Sequence, residues 1–158
     1  MSEKPTPEFM AATQMTTALM GMILAFKQRF GDEALEVARG FTEQLGTEVG
    51  NQFKERAGIT GSGIHDIERV YHTWLDNTLK PHKLDIKVDG NKLTVTRESP
   101  QKCPGLFVAK QMNLPLEMVC TNINQPLFKG VAKAINPNVK YTAVQLSEEK
   151  CIETIEIA

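Results

Sequence analysis

The chain has little with which to cross-link itself. It carries three Cys among 158 residues, an odd number that excludes a closed disulfide framework. Cys103, Cys120 and Cys151 stand 17 and 31 residues apart, so there is no C-x-x-C pair and no zinc ribbon. Aromatic residues are scarce at 6%, and seven Met supply some of the missing bulk, so the core is expected to be aliphatic and adaptable. Neither sign of charge dominates. With 18 Lys and Arg against 19 Asp and Glu the net charge is −1, which argues against an overall electrostatic nucleic-acid binder. No uninterrupted apolar run reaches the roughly 18 residues of a membrane span. The nearest, Ala18 to Phe26, is short and flanked by Thr13, Thr16, Thr17, Lys27 and Arg29. It also lacks the basic leader and cleavage site of a signal peptide, so a cytoplasmic address is expected. The phosphate-loop, dinucleotide-loop, G-x-S-x-G and H-E-x-x-H patterns are all missing. Their absence counts against familiar nucleotide-binding, α/β-hydrolase and zinc-protease classes.

What is present is an ordinary globular composition, 41% hydrophobic and 23% charged, fitting one domain over 1–158. The front half, about 7–80, reads as helical. Met15, Leu19, Met22, Ile23, Phe26 and Phe30 recur at steps of three and four, forming one helical stripe that Gly31 ends. Asp32 is a natural cap for a second helix, which carries Gly40, Gly46 and Gly50 in its interior. Each glycine costs up to about 1 kcal/mol relative to Ala, so the three together suggest close approach by a neighbouring helix or by a ligand. An internal pocket is expected between this helix and a sheet. A third helix carries the stripe Ile64, Ile67, Tyr71, Trp74, Leu75 and Leu79, and Pro81 stops it.

The back half, about 82–158, is mixed. Leu84, Ile86 and Val88, then Leu93 and Val95, alternate on either side of Asp89-Gly90-Asn91, which predicts a hairpin. A short helix near 106–112 follows. A longer helical pattern then runs from Leu116 to Ile135, with Pro126 kinking it or opening a new helix capped by Asn124. Strands near 139–146 and 151–157 close the chain. The order predicts an α+β fold, N-terminal helices followed by an antiparallel sheet of two hairpins with two intervening helices.

Two sets of side chains carry candidate chemistry. Cys103 precedes Pro104 at a helix start, where free N–H groups and the helix dipole would favour its thiolate. Cys120 lies on or beside an apolar helical stripe, and Cys151 is in phase with Ile155 and Ile157 on the last strand. Cys120 and Cys151 read equally well as small buried hydrophobes. The third helix bears His65, Glu68, His72 and Asp76 opposite its apolar stripe, spaced to converge on one ligand or to pair along a solvated face. Lys80, His82, Lys83, Lys87 and Lys92 form only a modest basic patch, which does not support a nucleic-acid surface.

The layout of Cys103-Pro104, Cys120 on a helix and Cys151 in the final strand Glu-Lys-Cys-Ile-Glu-Thr-Ile resembles the 2-aminothiazoline-4-carboxylate hydrolase-like family. It is also similar to vinyl-4-reductase-like small-molecule-binding domains, over roughly 67–157. The resemblance implies a cysteine-lined pocket beneath the sheet. In the hydrolase-like family it implies opening of a cyclic C–N or C–S bond by a Cys. In the binding domains it implies a hydrophobic ligand, sometimes beside zinc held by Cys and Glu, a place Glu117 could fill. Three functions therefore stand open. One is a hydrolase with Cys103 as nucleophile and His72 or His65 as base. Another is a binding or sensory domain whose ligand meets Glu68, Tyr71, Trp74 and Glu117. The third is a zinc or iron–sulfur protein using Cys103, Cys120 and Cys151. The expected partners are a small molecule and a second copy in a homodimer, without nucleic acid or a membrane span.

Overall fold

Thr6 starts the first helix in the way its residue type favours: its hydroxyl accepts the Phe9 N–H at 3.1 Å, and Pro7 takes the first helical position. The computed structural model describes residues 5–78, 83–98 and 103–158. Helix α1 spans Pro7–Phe30 and ends at Gly31, whose φ of 75° suits glycine. Its buried residues are Phe9, Thr13, Thr16, Met20 and Ile23. Most of the predicted stripe is therefore not core: Met15, Met22, Phe26 and Phe30 are exposed. Met22, Phe26 and Phe30 border an open apolar groove of about 510 Å³ between α1 and the following helix, whose far wall includes Val37 and Phe41. Periodicity identifies an apolar face but not whether the same chain covers it. Among the described residues α1 is also the one helix long and apolar enough, averaged over its length, to cross a bilayer, a test that core helices also pass.

Helix α2 (Glu33–Arg56) packs along α6 (Gln125–Ile135), and the glycines explain how closely. A Cβ on Gly46 would run into the Leu127 carbonyl, and one on Gly50 would meet Val131 and Ala134. From the other side, a Cβ on Gly130 would strike the Glu43 carbonyl. Glu43 then clamps the pair through Lys129 at 2.9 Å and Lys133 at 2.5 Å. So two of the three glycines serve helix–helix contact, while Gly40 has open space beside it. Helix α6 lies against α2, and the compartment to which α2 and the sheet both contribute, through Val49 and Arg97, is small, about 90 Å³.

Helix α3 (Ile64–Thr78) and α6 cover one face of a four-stranded antiparallel sheet of order β1-β2-β4-β3. Its strands are β1 (Lys83–Asp89), β2 (Lys92–Glu98), β3 (Val139–Leu146) and β4 (Lys150–Ile157). Ile67, Val70, Tyr71 and Leu75 from α3 meet Leu93, Val95 and Ile155 from the sheet and Val131 and Ile135 from α6 in the main core. A second cluster forms where α1 meets α4 (Pro104–Gln111) and α5 (Leu116–Val119), around Met20, Ile23, Val108, Val119 and Ile123. The fold is α+β, with both hairpins and the helices between them as the sequence predicts.

Candidate functional site

Strand alternation puts two charged residues where the core should be. Leu93, Val95 and Arg97 share one face of β2, and Cys151, Glu153 and Ile155 share the facing side of β4. Arg97 is 6% exposed and Glu153 4%. In the register Arg97 stands opposite Cys151 and Val95 opposite Glu153, so Arg97 and Glu153 are diagonal neighbours. They form an ion pair of 2.7 Å from Nη2 to Oε1. The guanidinium also lies 4.5 Å from the centre of the Phe128 ring. Burial lowers the Arg97 pKa, but Glu153 together with Cys103, Tyr141 and Cys151 outweighs it and keeps the guanidinium charged.

That pair is incompletely satisfied. Arg97 Nε, Glu153 Oε2 and the Tyr141 hydroxyl are buried without a hydrogen-bond partner. Burial first, and then the Glu153 carboxylate beside it, push the Tyr141 pKa well up; the hydroxyl faces Glu153 at the margin of hydrogen-bond geometry. Tyr71 is fully buried and donates to the Phe128 carbonyl at 2.7 Å, and its pKa is likewise raised, first by burial and then by Glu153.

The three cysteines gather around this pair. Arg97, Glu153, Cys103, Cys120, Cys151, Asn124 and Gln145 line a narrow chamber of about 10 Å³. Cys103 caps α4 without a side-chain capping bond, followed by Pro104 as expected. Cys120 begins a π-turn, Cys120–Asn124, that joins α5 to α6. There the Gln125 N–H reaches back five residues to the Cys120 carbonyl, and the wider turn carries Asn124 into the chamber. Asn124 stands at the N-cap of α6, as its place before Pro126 suggests, but its side chain makes no capping bond; its Nδ2 donates to Cys120 Sγ at 3.6 Å. Gly105 permits this, since a Cβ there would collide with the Asn124 amide. On β3 a bulge between Ala143 and Gln145 shifts the register beside the chamber. Ala143 and Gln145 are exposed, so the chamber meets solvent along the β3 edge.

A second compartment of about 90 Å³ adjoins the first through the shared residues Arg97, Cys103 and Asn124. Its walls are apolar: Met15 from α1, Trp74 and Leu75 from α3, Leu127 and Phe128 from α6. The Trp74 and Phe128 rings lie 4.7 Å apart. Tyr71 and Trp74, expected at a ligand, therefore sit at or beside the site.

The other expected residues do not. His65 and His72 are exposed on the outer side of α3, where His65 pairs with Glu68 at 2.9 Å and His72 with Asp76 at 3.2 Å. Neither imidazole lines the cysteine chamber, so neither is placed to take a proton from Cys103. Their spacing reflects ordinary i,i+3 and i,i+4 pairing on a solvated face. Glu117 is exposed on α5 and lines neither compartment. Among the described residues no three His, Cys, Asp or Glu side chains are arranged to hold a metal ion. Burial pushes the Cys120 thiol far up, helped by Cys103 and Cys151, and burial also raises Cys151. Without a metal, both thiols are therefore neutral near neutral pH. In the basic patch Lys83, Lys87 and Lys92 pair with Glu98, Asp85 and Glu156; Lys80 and His82 lie outside the described residues.

Arg97, Glu153 and Asn124 were the residues that sequence reasoning passed over. Arg97 follows Leu93 and Val95 at a spacing of two, and Glu153 falls between Cys151 and Ile155 in the same phase. Two opposite charges on inward phases of two strands were the available signal. Nothing in sequence announces the π-turn that delivers Asn124. No family model, curated protein or solved structure matches the chain.

Proposed function

We propose that this chain is a small-molecule-binding domain. Its ligand lays an apolar body in the cleft of Met15, Trp74, Leu75, Leu127 and Phe128, with its polar end toward the Arg97–Glu153 pair. The observation that carries this reading is a buried ion pair with unpartnered atoms on both members, lining a chamber that shares Arg97, Cys103 and Asn124 with an aromatic-walled cleft. Buried polar groups are almost always satisfied, and small-molecule sites join an apolar lining to a few convergent polar groups. The resemblance to cysteine-bearing binding domains agrees with this reading. Chemistry at Cys103 is the second reading, favoured by its position in both compartments. Among the described residues no imidazole lines either compartment to activate the thiol, and binding does not need one.

Trp74 is the only Trp in the sequence, which makes it a specific reporter. NMR titration with a library of neutral and charged fragments of four to eight heavy atoms should shift the Trp74 indole and Met15 methyl resonances together. A library in which no fragment shifts the Trp74 indole overturns the reading. Turnover of a fragment that is lost in Cys103→Ser would establish the second reading instead.

A further inference from the structure

Helix α1 is apolar on both of its sides, and the fold covers one of them. Phe9, Thr13, Thr16, Met20 and Ile23 face inward, while Met10, Met15, Met22, Phe26 and Phe30 stand exposed. The run from Phe9 to Phe26 contains no charged residue. The most apolar window of the helix has a mean hydropathy of 1.5, yet only 28% of it is buried. A helix that is hydrophobic all round belongs inside a structure, so the outer face of α1 calls for a cover. That face is regular. Ala11, Met15, Ala18, Met22 and Ala25 are all exposed and follow one another at steps of four, three, four and three. This is the spacing of a seam along which two helices pair, and it runs opposite the buried side of α1.

We propose that a second copy of this chain covers the exposed face of α1, the two α1 helices packing antiparallel in a two-fold homodimer. The seam alternates small and large side chains. In a parallel pair like meets like, so the Met layers crowd and the Ala layers leave voids. In an antiparallel pair each Met comes against an Ala of the other copy, and the Ala let the backbones approach. The ends of the helix agree. Glu8 near its start and Arg29 near its end are exposed, and neither forms an ion pair among the described residues. Antiparallel packing brings Glu8 of each copy toward Arg29 of the other and opposes the two helix dipoles, whereas parallel packing sets like charges side by side. The area is sufficient. Met22 is 56% exposed, Phe26 51% and Phe30 60%, and the groove that they border adds Val37 and Phe41. With Met10 and Met15 these side chains expose on the order of 700 Å², above the largest patch of a typical monomer and near the roughly 800 Å² that each partner of a stable interface buries. A membrane surface fits less well, because the rim of this face is not basic: Lys27 pairs with Asp32 at 3.2 Å, and Glu33 and Glu36 follow in α2.

Sedimentation equilibrium of the full chain at about 100 μM should give twice the monomer mass. Ala18→Glu and Met22→Glu, each at an exposed position, should weaken association about 100-fold or more and leave the circular-dichroism spectrum unchanged. A monomeric wild-type chain at that concentration overturns the proposal. So does a dimer that both variants leave intact, since another face then holds it together. A monomer that floats with phosphatidylcholine vesicles, and no longer floats as Met22→Glu, gives the face to a membrane and overturns the proposal too. A nitroxide label on Gln28→Cys reads the orientation, and the native Cys103, Cys120 and Cys151 are buried, so the label reaches the exposed position selectively. In the antiparallel dimer the two labels stand about 25 Å or more apart along the helix axes, at 1.5 Å of rise per residue. Labels within about 15 Å of one another refute the antiparallel arrangement. If a Glu variant does not fold, the wild-type mass and the label distance still decide.

Discussion

At the scale of single residues, the Arg97–Glu153 pair makes opposite predictions for one substitution and for two. Arg97→Met leaves the Glu153 carboxylate buried and alone, and removal of one partner from a buried pair costs about 3–5 kcal/mol. Arg97→Met combined with Glu153→Met removes both charges from a site flanked by Phe128, Cys103 and Cys151, and should recover most of that loss. Denaturant unfolding of the two single variants and the double variant measures the coupling. A double variant as unstable as the worse single one would show that the pair itself holds the sheet to α6. Cys120 supplies a pH dependence of definite sign. Burial raises its folded pKa above that of the unfolded chain, so above the ordinary thiol value of about 8.5 the unfolded state releases a proton that the folded state keeps. Stability is therefore full below that pH and falls as pH rises beyond it. Unfolding followed from pH 7 to 10 should show the decline, and Cys120→Ala should make it shallower, leaving the part that Cys151 supplies. The residues behind both predictions were unequally legible. The cysteines stood out by rarity and their convergence could only be conjectured, whereas Arg97 and Glu153 sat in plain phase and were passed over because charges are ordinarily assigned to the outer face of a strand.

At the scale of elements, the sequence was most legible where a period or a breaker is local. The first hairpin, the Gly31 helix end and the Cys103-Pro104 helix start all follow from neighbouring residues. Elements that depend on distant partners were less so. The stretch from Leu116 to Ile135 reads as a helical pattern that Pro126 either kinks or restarts as a new helix capped by Asn124. Proline suits an early helical position, and the actual irregularity is the π-turn four residues upstream of α6's core-facing Phe128. The glycines of α2 show the same limit, because sequence alone does not distinguish the packed from the unpacked. The structure does, and it predicts a contrast. Gly46→Ala forces a methyl into the Leu127 carbonyl and should destabilise by about 1–3 kcal/mol through overpacking. Gly40→Ala meets open space and should stabilise by up to about 1 kcal/mol through helix propensity. Thermal unfolding of the two variants should move in opposite directions.

At the scale of the whole molecule, the candidate site lies at the boundary of two hydrophobic clusters. The sheet, α3 and α6 belong to one, α1, α4 and α5 to the other, and Arg97, Cys103 and Asn124 meet where they adjoin. Both clusters were foreshadowed by apolar stripes, but their division was not, since the stripe on α1 turned partly outward to the groove with Val37 and Phe41. The seam has a dynamic consequence. Cluster two is the smaller and is tied to cluster one partly across a chamber with unmet hydrogen bonds, so its amides should exchange with solvent through partial openings that spare the sheet. A molecule seated in the chamber touches both sides and acts as a rivet. Native-state hydrogen exchange should then show Val108, Ala109 and Ile123 slowing toward the rate of Val95 and Ile155 when a fragment that shifts the Trp74 indole is added, so that two layers that breathe separately come to breathe as one.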